Sequence, residues 1–355
     1  MRRYNDLAAR DIDSCAPGAG AHTYTGLRIA SIFIIMATSM FGAMFPVVSR
    51  RVAWMRTHVP SIVFQFAKYF GSGVIIATAF IHLLSPALTE LQNDCLSPAW
   101  GEYPYALAIC LCSIFMIFIV ELVAFRWGTS VLAKLGIGHD AHGHGIPGGT
   151  HAAHGPEIAP NGPHAPAYPD ADSLKDIESL SEKHDPSGNF SDSAIAQILG
   201  VAILEFGVLL HSVLIGLTLA VDPDFKVLFV VIIFHQMFEG LGVGSRLAYM
   251  QLPPQYNFVP VVGALLYGCT TPIGIAAGLG VRATYNPNTP TASIVSGVMD
   301  AFSSGILIYT GLVELMAHEF VFNKQMIEGS NRHLAFALIC MMLGAGLMAL
   351  LGKWA

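Results

Sequence analysis

The sequence predicts an all-α, polytopic membrane protein with eight transmembrane helices. Three observations carry that reading. Of 355 residues, 54% are hydrophobic and 12% are charged, about half the ~25% charge of a soluble domain. Eight apolar segments reach the roughly 20 residues that a helix needs to cross the hydrocarbon core. None of them alternates with the period of 2 that a membrane β-barrel strand requires. The net charge of −6 excludes a nucleic-acid binder held by a basic surface. Six cysteines in a chain of this length are not a disulfide scaffold.

Residues 1–26 are mostly polar and read as an extracellular N-terminal segment without a cleavable signal peptide. Residues 27–125 then hold the first three spans, Leu27–Val48, Val63–Leu84 and Tyr105–Ala124. Residues 126–193 form the one long loop. Residues 194–355 hold the other five spans: Ile195–Val221, Val227–Leu247, Phe258–Val281, Ala292–Ala317 and His333–Leu351. Only Asp222-Pro223-Asp224-Phe225-Lys226 separates the fourth span from the fifth, so these two are adjacent and antiparallel. Lys and Arg in short loops mark the cytosolic side. Arg50, Arg51, Arg56, Arg126, Lys134, Arg246, Lys324 and Arg332 fall on one side, against Arg10, Arg28, Lys226, Arg282 and Lys353 on the other. The bias places both termini outside. Cys15 and Cys95 then share an oxidising side, as a disulfide or as two thiols. Cys110, Cys112, Cys269 and Cys340 lie inside spans as packing residues.

The 126–193 loop is rich in Gly, Pro, Ser and Asp, which predicts disorder on the cytosolic side. It carries His139, His142, His144, His151, His154 and His164, six imidazoles within 26 residues. A tract of that density reads as metal-contacting. Ordering so loose a loop costs entropy, which suits sensing or buffering better than a permeation site.

Ionisable groups inside spans are costly and mark pathways. With a rise of about 1.5 Å per residue, His211 lies about 15 Å below the outer end of the fourth span. His235 and Glu239 lie about 12 and 18 Å below the outer end of the fifth. They are spaced i and i+4, on one face. Two neutral imidazoles and a carboxylate at one depth are an inner shell for a divalent cation. Ser212 and Gln236 follow the two histidines and add weak oxygen donors. A lone intramembrane His would read as a core residue; the coincidence of three groups favours ligands. Gly216, Gly240, Gly242 and Gly244 let helices approach closely. His82 and Asp300 are placed toward the outer mouth, and Glu314, His318 and Glu319 at the inner end of the seventh span. Together they outline a cation path of several modest sites. Glu205, six residues before His211, faces elsewhere, and Lys68 is expected to snorkel.

Several motifs resemble the ZIP (Zrt-, Irt-like) family of divalent metal transporters, in its fungal plasma-membrane zinc-uptake branch. They are His211-Ser212-Val213-Leu214-Ile215-Gly216, His235-Gln236-Met237-Phe238-Glu239-Gly240, Ala77-Thr78-Ala79-Phe80-Ile81-His82-Leu83-Leu84, Thr271-Pro272-Ile273-Gly274 and Leu312–Phe320. The resemblance implies a metal site between the fourth and fifth helices on His211, His235 and Glu239. It also implies metal moving into the cytosol, a homodimer, and one helix group moving against another. Some members place Asn, Glu and Asp or Glu where Ser212, Ile215 and Gln236 stand here, which predicts one well-formed site instead of two. Leu214 and Phe238 replace a motif proline, so any kink needs another cause.

The reading is a zinc importer, with Fe²⁺ or other divalent metals as further cargo, in the plasma membrane. Zn²⁺ is substrate; no organic cofactor and no nucleic acid is expected. The alternative is a metal-sensing membrane receptor without transport. An intramembrane metallohydrolase lacks its His-Glu-x-x-His pair.

Overall fold

In the computed structural model the described residues are 23–134 and 192–354, apart from 223, 251, 253 and 282–288. Among the described residues, eight helices are long and apolar enough to cross a membrane. They are α1 (Thr25–Arg51), α2 (Ser61–Leu91), α3 (Tyr105–Lys134), α4 (Asp192–Val221), α5 (Phe225–Tyr249), α6 (Val259–Val281), α7 (Pro290–Val321) and α8 (Asn331–Leu351). No strand occurs among the described residues. Eight antiparallel crossings put the start of α1 and the end of α8 on one face of the bundle, called here the terminal face, and the end of α3 and the start of α4 on the other, called here the loop face. The loop's six histidines lie outside the described residues, as does Cys15. Cys95 is disulfide-bonded, and the four cysteines in the spans are free thiols.

The helices pack as two groups. α1, α4, α5 and α6 lie against one another, and α2, α3, α7 and α8 do the same. The groups meet where α2 touches α5 and α7 touches α4. Glycines allow the tightest of these crossings. A Cβ on Gly244 of α5 would sit 2.1 Å from the carbonyl oxygen of Ala43 on α1. A Cβ on Gly71 of α2 would sit 2.2 Å from Cα of Gly242 on α5. Without a hydrophobic force between helices in lipid, such backbone approach is how they gain packing. The outward faces of α3 and α8 carry Phe115, Ile119, Ile339 and Met342, all exposed, as lipid-facing side chains should be.

Two helices change pitch. Thr78–Leu84 in α2 and Thr310–Val321 in α7 are π-helical, a form that collects at functional sites. Neither run lies in α4 or α5, where Leu214 and Phe238 replace the motif prolines and the helices stay α-helical. Prolines do occur inside α1 (Pro46) and α6 (Pro272).

Arg28 ties the α4–α5 hairpin to α1. The sequence marks it only as a flanking charge, yet it is fully buried. Its guanidinium donates to the carbonyls of Leu219 at 2.9 Å and Asp222 at 2.6 Å, and its Nε donates to Thr23 O at 2.8 Å. It also lies 4.5 Å from the centroid of the Phe225 ring. A guanidinium is suited to this task, since it offers five donors to the orphan carbonyls of a helix end.

Candidate metal centre

α4 brings His211 to the middle of the bundle, and α5 brings His235 and Glu239 on successive turns of one face. One ligand atom from each of the three lies within 4.8 Å of the others. Nε2 of His235 is 3.9 Å from Oε2 of Glu239. All three residues are at most 2% exposed. Neither ring nitrogen of either histidine makes a hydrogen bond, and Oε1 of Glu239 makes none. Buried polar atoms are almost always paired, so five orphaned atoms in one spot describe a site built for a ligand. A tetrahedral Zn²⁺ at about 2.0 Å from each donor sets ligand–ligand edges of about 3.3 Å. To hold such an ion the cluster would have to contract by up to about 1.5 Å.

His82 and Asp300 lie against this cluster, with His82 also touching the terminal-face end of α8. The His82 ring packs edge-on against His235, with centroids 4.7 Å apart, and its Nε2 lies 2.9 Å from Met348 O of α8. Oδ1 of Asp300 is 3.8 Å from Nδ1 of His211. That separation is too long for a hydrogen bond, but it places a carboxylate on the Nδ1 side of the ring, the position from which such a group could orient an imidazole that binds metal through Nε2. His82 lies in the π-helical turn Thr78–Leu84 of α2, which shifts its ring from the face that a regular α-helix would give it, whereas Asp300 lies in the α-helical part of α7.

Ser212 and Gln236 are fully buried beside the histidines. Gln236 Nε2 donates to Oγ1 of Thr271 on α6, leaving its Oε1 and the Ser212 hydroxyl without hydrogen bonds. Tyr267, on the same helix, was not distinguishable in the sequence from a packing aromatic. Its hydroxyl donates to the Gln236 carbonyl at 2.7 Å and reaches Glu239 Oε2 at 3.4 Å. α6 thus forms the wall that orients two site residues.

The inner-end residues do not gather into one group. The π-helical stretch turns Glu314 toward Arg246 of α5, at 3.6 Å, and Glu319 toward Lys68 of α2, at 2.6 Å. Lys68 is therefore paired and largely buried, not snorkelling to the interface. His318 is half-buried between them. Glu205 faces α6, where its Oε1 occupies the space that a Cβ on Gly263 would need. Two further carboxylates lie outside the cluster. Glu121, an ionisable group that the sequence already marks inside the third span, accepts from the Tyr309 hydroxyl at 2.7 Å. Glu90, at the terminal-face end of α2, lies against Ser296 and Gly297 of α7; the sequence did not single it out, because a lone acid near a span end reads as interfacial.

Residues 25–352 match the sequence profile of the family described as ZIP Zinc transporter. The chain belongs to the ZIP family. It is 41% identical to zinc-regulated transporter 1 of Schizosaccharomyces pombe, over 100% of this chain and 93% of that one. It is 43% identical to zinc-regulated transporter 1 of Saccharomyces cerevisiae, over 93% and 88%. Fe(2+) transport protein 1 of Arabidopsis thaliana is 33% identical, over 93% and 86%. Family membership makes this ZIP protein a transporter and not an enzyme, and the buried cluster between α4 and α5 is a group of residues that could hold its metal.

Proposed function

We propose that this ZIP protein imports Zn²⁺ into the cytosol, binding it on His211, His235 and Glu239. The observation that carries the proposal is the group of five unpartnered, buried donor atoms at the centre of the membrane. The names of the yeast relatives support zinc as cargo, and the Arabidopsis relative's name supports Fe²⁺ as a second one. Imidazole and carboxylate accept both, and raw affinity does not select between them. The loop face is cytosolic on the positive-inside bias, which leaves both termini outside, with the plasma membrane as the site of residence. Metal approaches past Asp300 and His82, which touch the cluster, and leaves toward Glu314, His318 and Glu319. The loop histidines act as a cytosolic metal sensor or buffer.

The test is competitive metal uptake by cells lacking their own zinc importers. Saturable Zn²⁺ uptake is expected, abolished by His211→Ala or Glu239→Ala with the variants still at the cell surface. Normal uptake by both variants refutes the site. A metal-sensing receptor is separated by reconstitution: purified protein in liposomes moves zinc under the present reading and moves none under the other.

A further inference from the structure

Arg246 lies two helical turns beyond Glu239 on α5. Seven residues bring an α-helix back to almost the same face, about 10.5 Å further along its axis. A guanidinium thus stands beneath the metal cluster, on its loop-face side and on the same side of the helix. Its terminal nitrogen is 3.6 Å from Oε2 of Glu314, both side chains are about three-quarters buried, and its Nε makes no hydrogen bond. The pair joins the two helix groups, because α5 belongs to one and α7 to the other. Lys68–Glu319 lies within the second group, and His211–Asp300 crosses only at the cluster itself. On the loop-face side, Arg246–Glu314 is the ion pair that crosses between the groups among the described residues. Glu314 is placed for it by the π-helical run Thr310–Val321.

An always-charged group in this position matters for a cation. A divalent ion leaving Glu239 toward the loop face passes this fixed positive charge and the Glu314 carboxylate that it holds. Glu205, another acid on the loop-face side of His211, is packed against α6 at Gly263. We propose that Arg246 governs metal release: guanidinium and departing metal compete for the Glu314 carboxylate. While Arg246 holds Glu314, the way out is closed by charge and by bulk. When metal takes Glu314, Arg246 is displaced, and its return drives the metal off. The competition keeps Glu314 a transfer point instead of a trap, as passage through several weak sites requires. The Nε, at the stem end of the guanidinium, makes no hydrogen bond that would pin the head group. This rests on the transport reading above, in which the loop face is the exit.

The test is zinc uptake kinetics at measured surface abundance for Arg246→Gln, Arg246→Lys, and the charge swap of Arg246→Glu with Glu314→Arg. Without its competitor, Glu314 holds metal: Arg246→Gln is expected to lower Vmax at least fivefold and to lower KM with it. Arg246→Lys keeps the charge and retains at least a third of the wild-type Vmax. The swap recovers at least half. Wild-type Vmax and KM for Arg246→Gln overturn the proposal. So does Arg246→Lys as slow as Arg246→Gln, or a swap that reaches the surface without transport. If Arg246→Gln fails to reach the surface, the Lys variant and the swap decide by the same criteria. Failure of the transport reading looks different, since the wild-type protein then moves no zinc at all.

Discussion

A methyl group added at Gly216 tests whether the α4–α6 wall sets the metal affinity. In Gly216→Ala, the new Cβ would sit 2.4 Å from the carbonyl oxygen of Thr271 and 2.9 Å from Cα of Gly274. Ordinary contact begins at 3.4 Å, so α4 and α6 must part by about 1 Å. The obstructing atoms are backbone and cannot rotate aside. α4 carries His211 five residues earlier, and Thr271 is the residue that holds the Gln236 amide. Overpacking of this size costs about 1–3 kcal/mol. Disturbing the groups that orient metal ligands costs about 10–100-fold in affinity, or roughly 1.4–2.8 kcal/mol. The assay is zinc uptake against zinc concentration, with surface protein quantified. KM is expected to rise about 10–100-fold for Gly216→Ala. Gly280→Ala, where a Cβ meets nothing within 4 Å, is the control and should keep the wild-type KM. A wild-type KM in both variants refutes the reasoning.

Other outcomes follow from the same geometry. Tyr267→Phe removes the hydroxyl that holds the Gln236 carbonyl and reaches Glu239, and is expected to raise the uptake KM about tenfold with little change in stability. An unchanged KM would show that α6 only fills space there. Arg28→Met leaves the carbonyls of Leu219 and Asp222 without their charged donor, and should cost about 3 kcal/mol or more. A thermal melt of the detergent-purified protein reads that loss, and a Tm within a degree of wild type contradicts it. Replacing His139, His142, His144, His151, His154 and His164 together by Ala is expected to leave initial uptake rates intact while dulling the response of uptake to zinc excess. Loss of the initial rate would instead put the loop in the transport path.

The parts of this protein that were legible in the sequence are those set by cost in lipid. Eight apolar stretches had to be eight helices, because nothing else satisfies the backbone inside a bilayer. His211, His235 and Glu239 stood out because ionisable groups at mid-membrane depth are rare, and Gly216, Gly240, Gly242 and Gly244 marked close crossings. The illegible parts depend on helix pitch and on tertiary pairing. Depth arithmetic assumes a uniform α-helix, and the π-helical runs in α2 and α7 break that assumption at His82 and at Glu314–Glu319. Lys68 and Arg246 read as interfacial charges until their partners, Glu319 and Glu314, are brought in from a helix distant in sequence. Arg28 was hidden for the same reason, since its acceptors lie 191 and 194 residues away. Tyr267 is an aromatic in an apolar run, and only its neighbours reveal the hydroxyl's task.

The central claim is that one divalent metal binds His211, His235 and Glu239 together. The zinc K-edge absorption spectrum of the purified protein, loaded with one equivalent of Zn²⁺, tests it most directly. Two imidazole nitrogens at about 2.0–2.1 Å, with oxygen completing a low-coordinate shell, are expected. With the six loop histidines replaced by Ala so that they cannot take up displaced zinc, the imidazole scattering should fall by half in His211→Ala and vanish in the His211→Ala, His235→Ala double variant. An all-oxygen shell, or an imidazole signal that survives the double variant, would contradict the account.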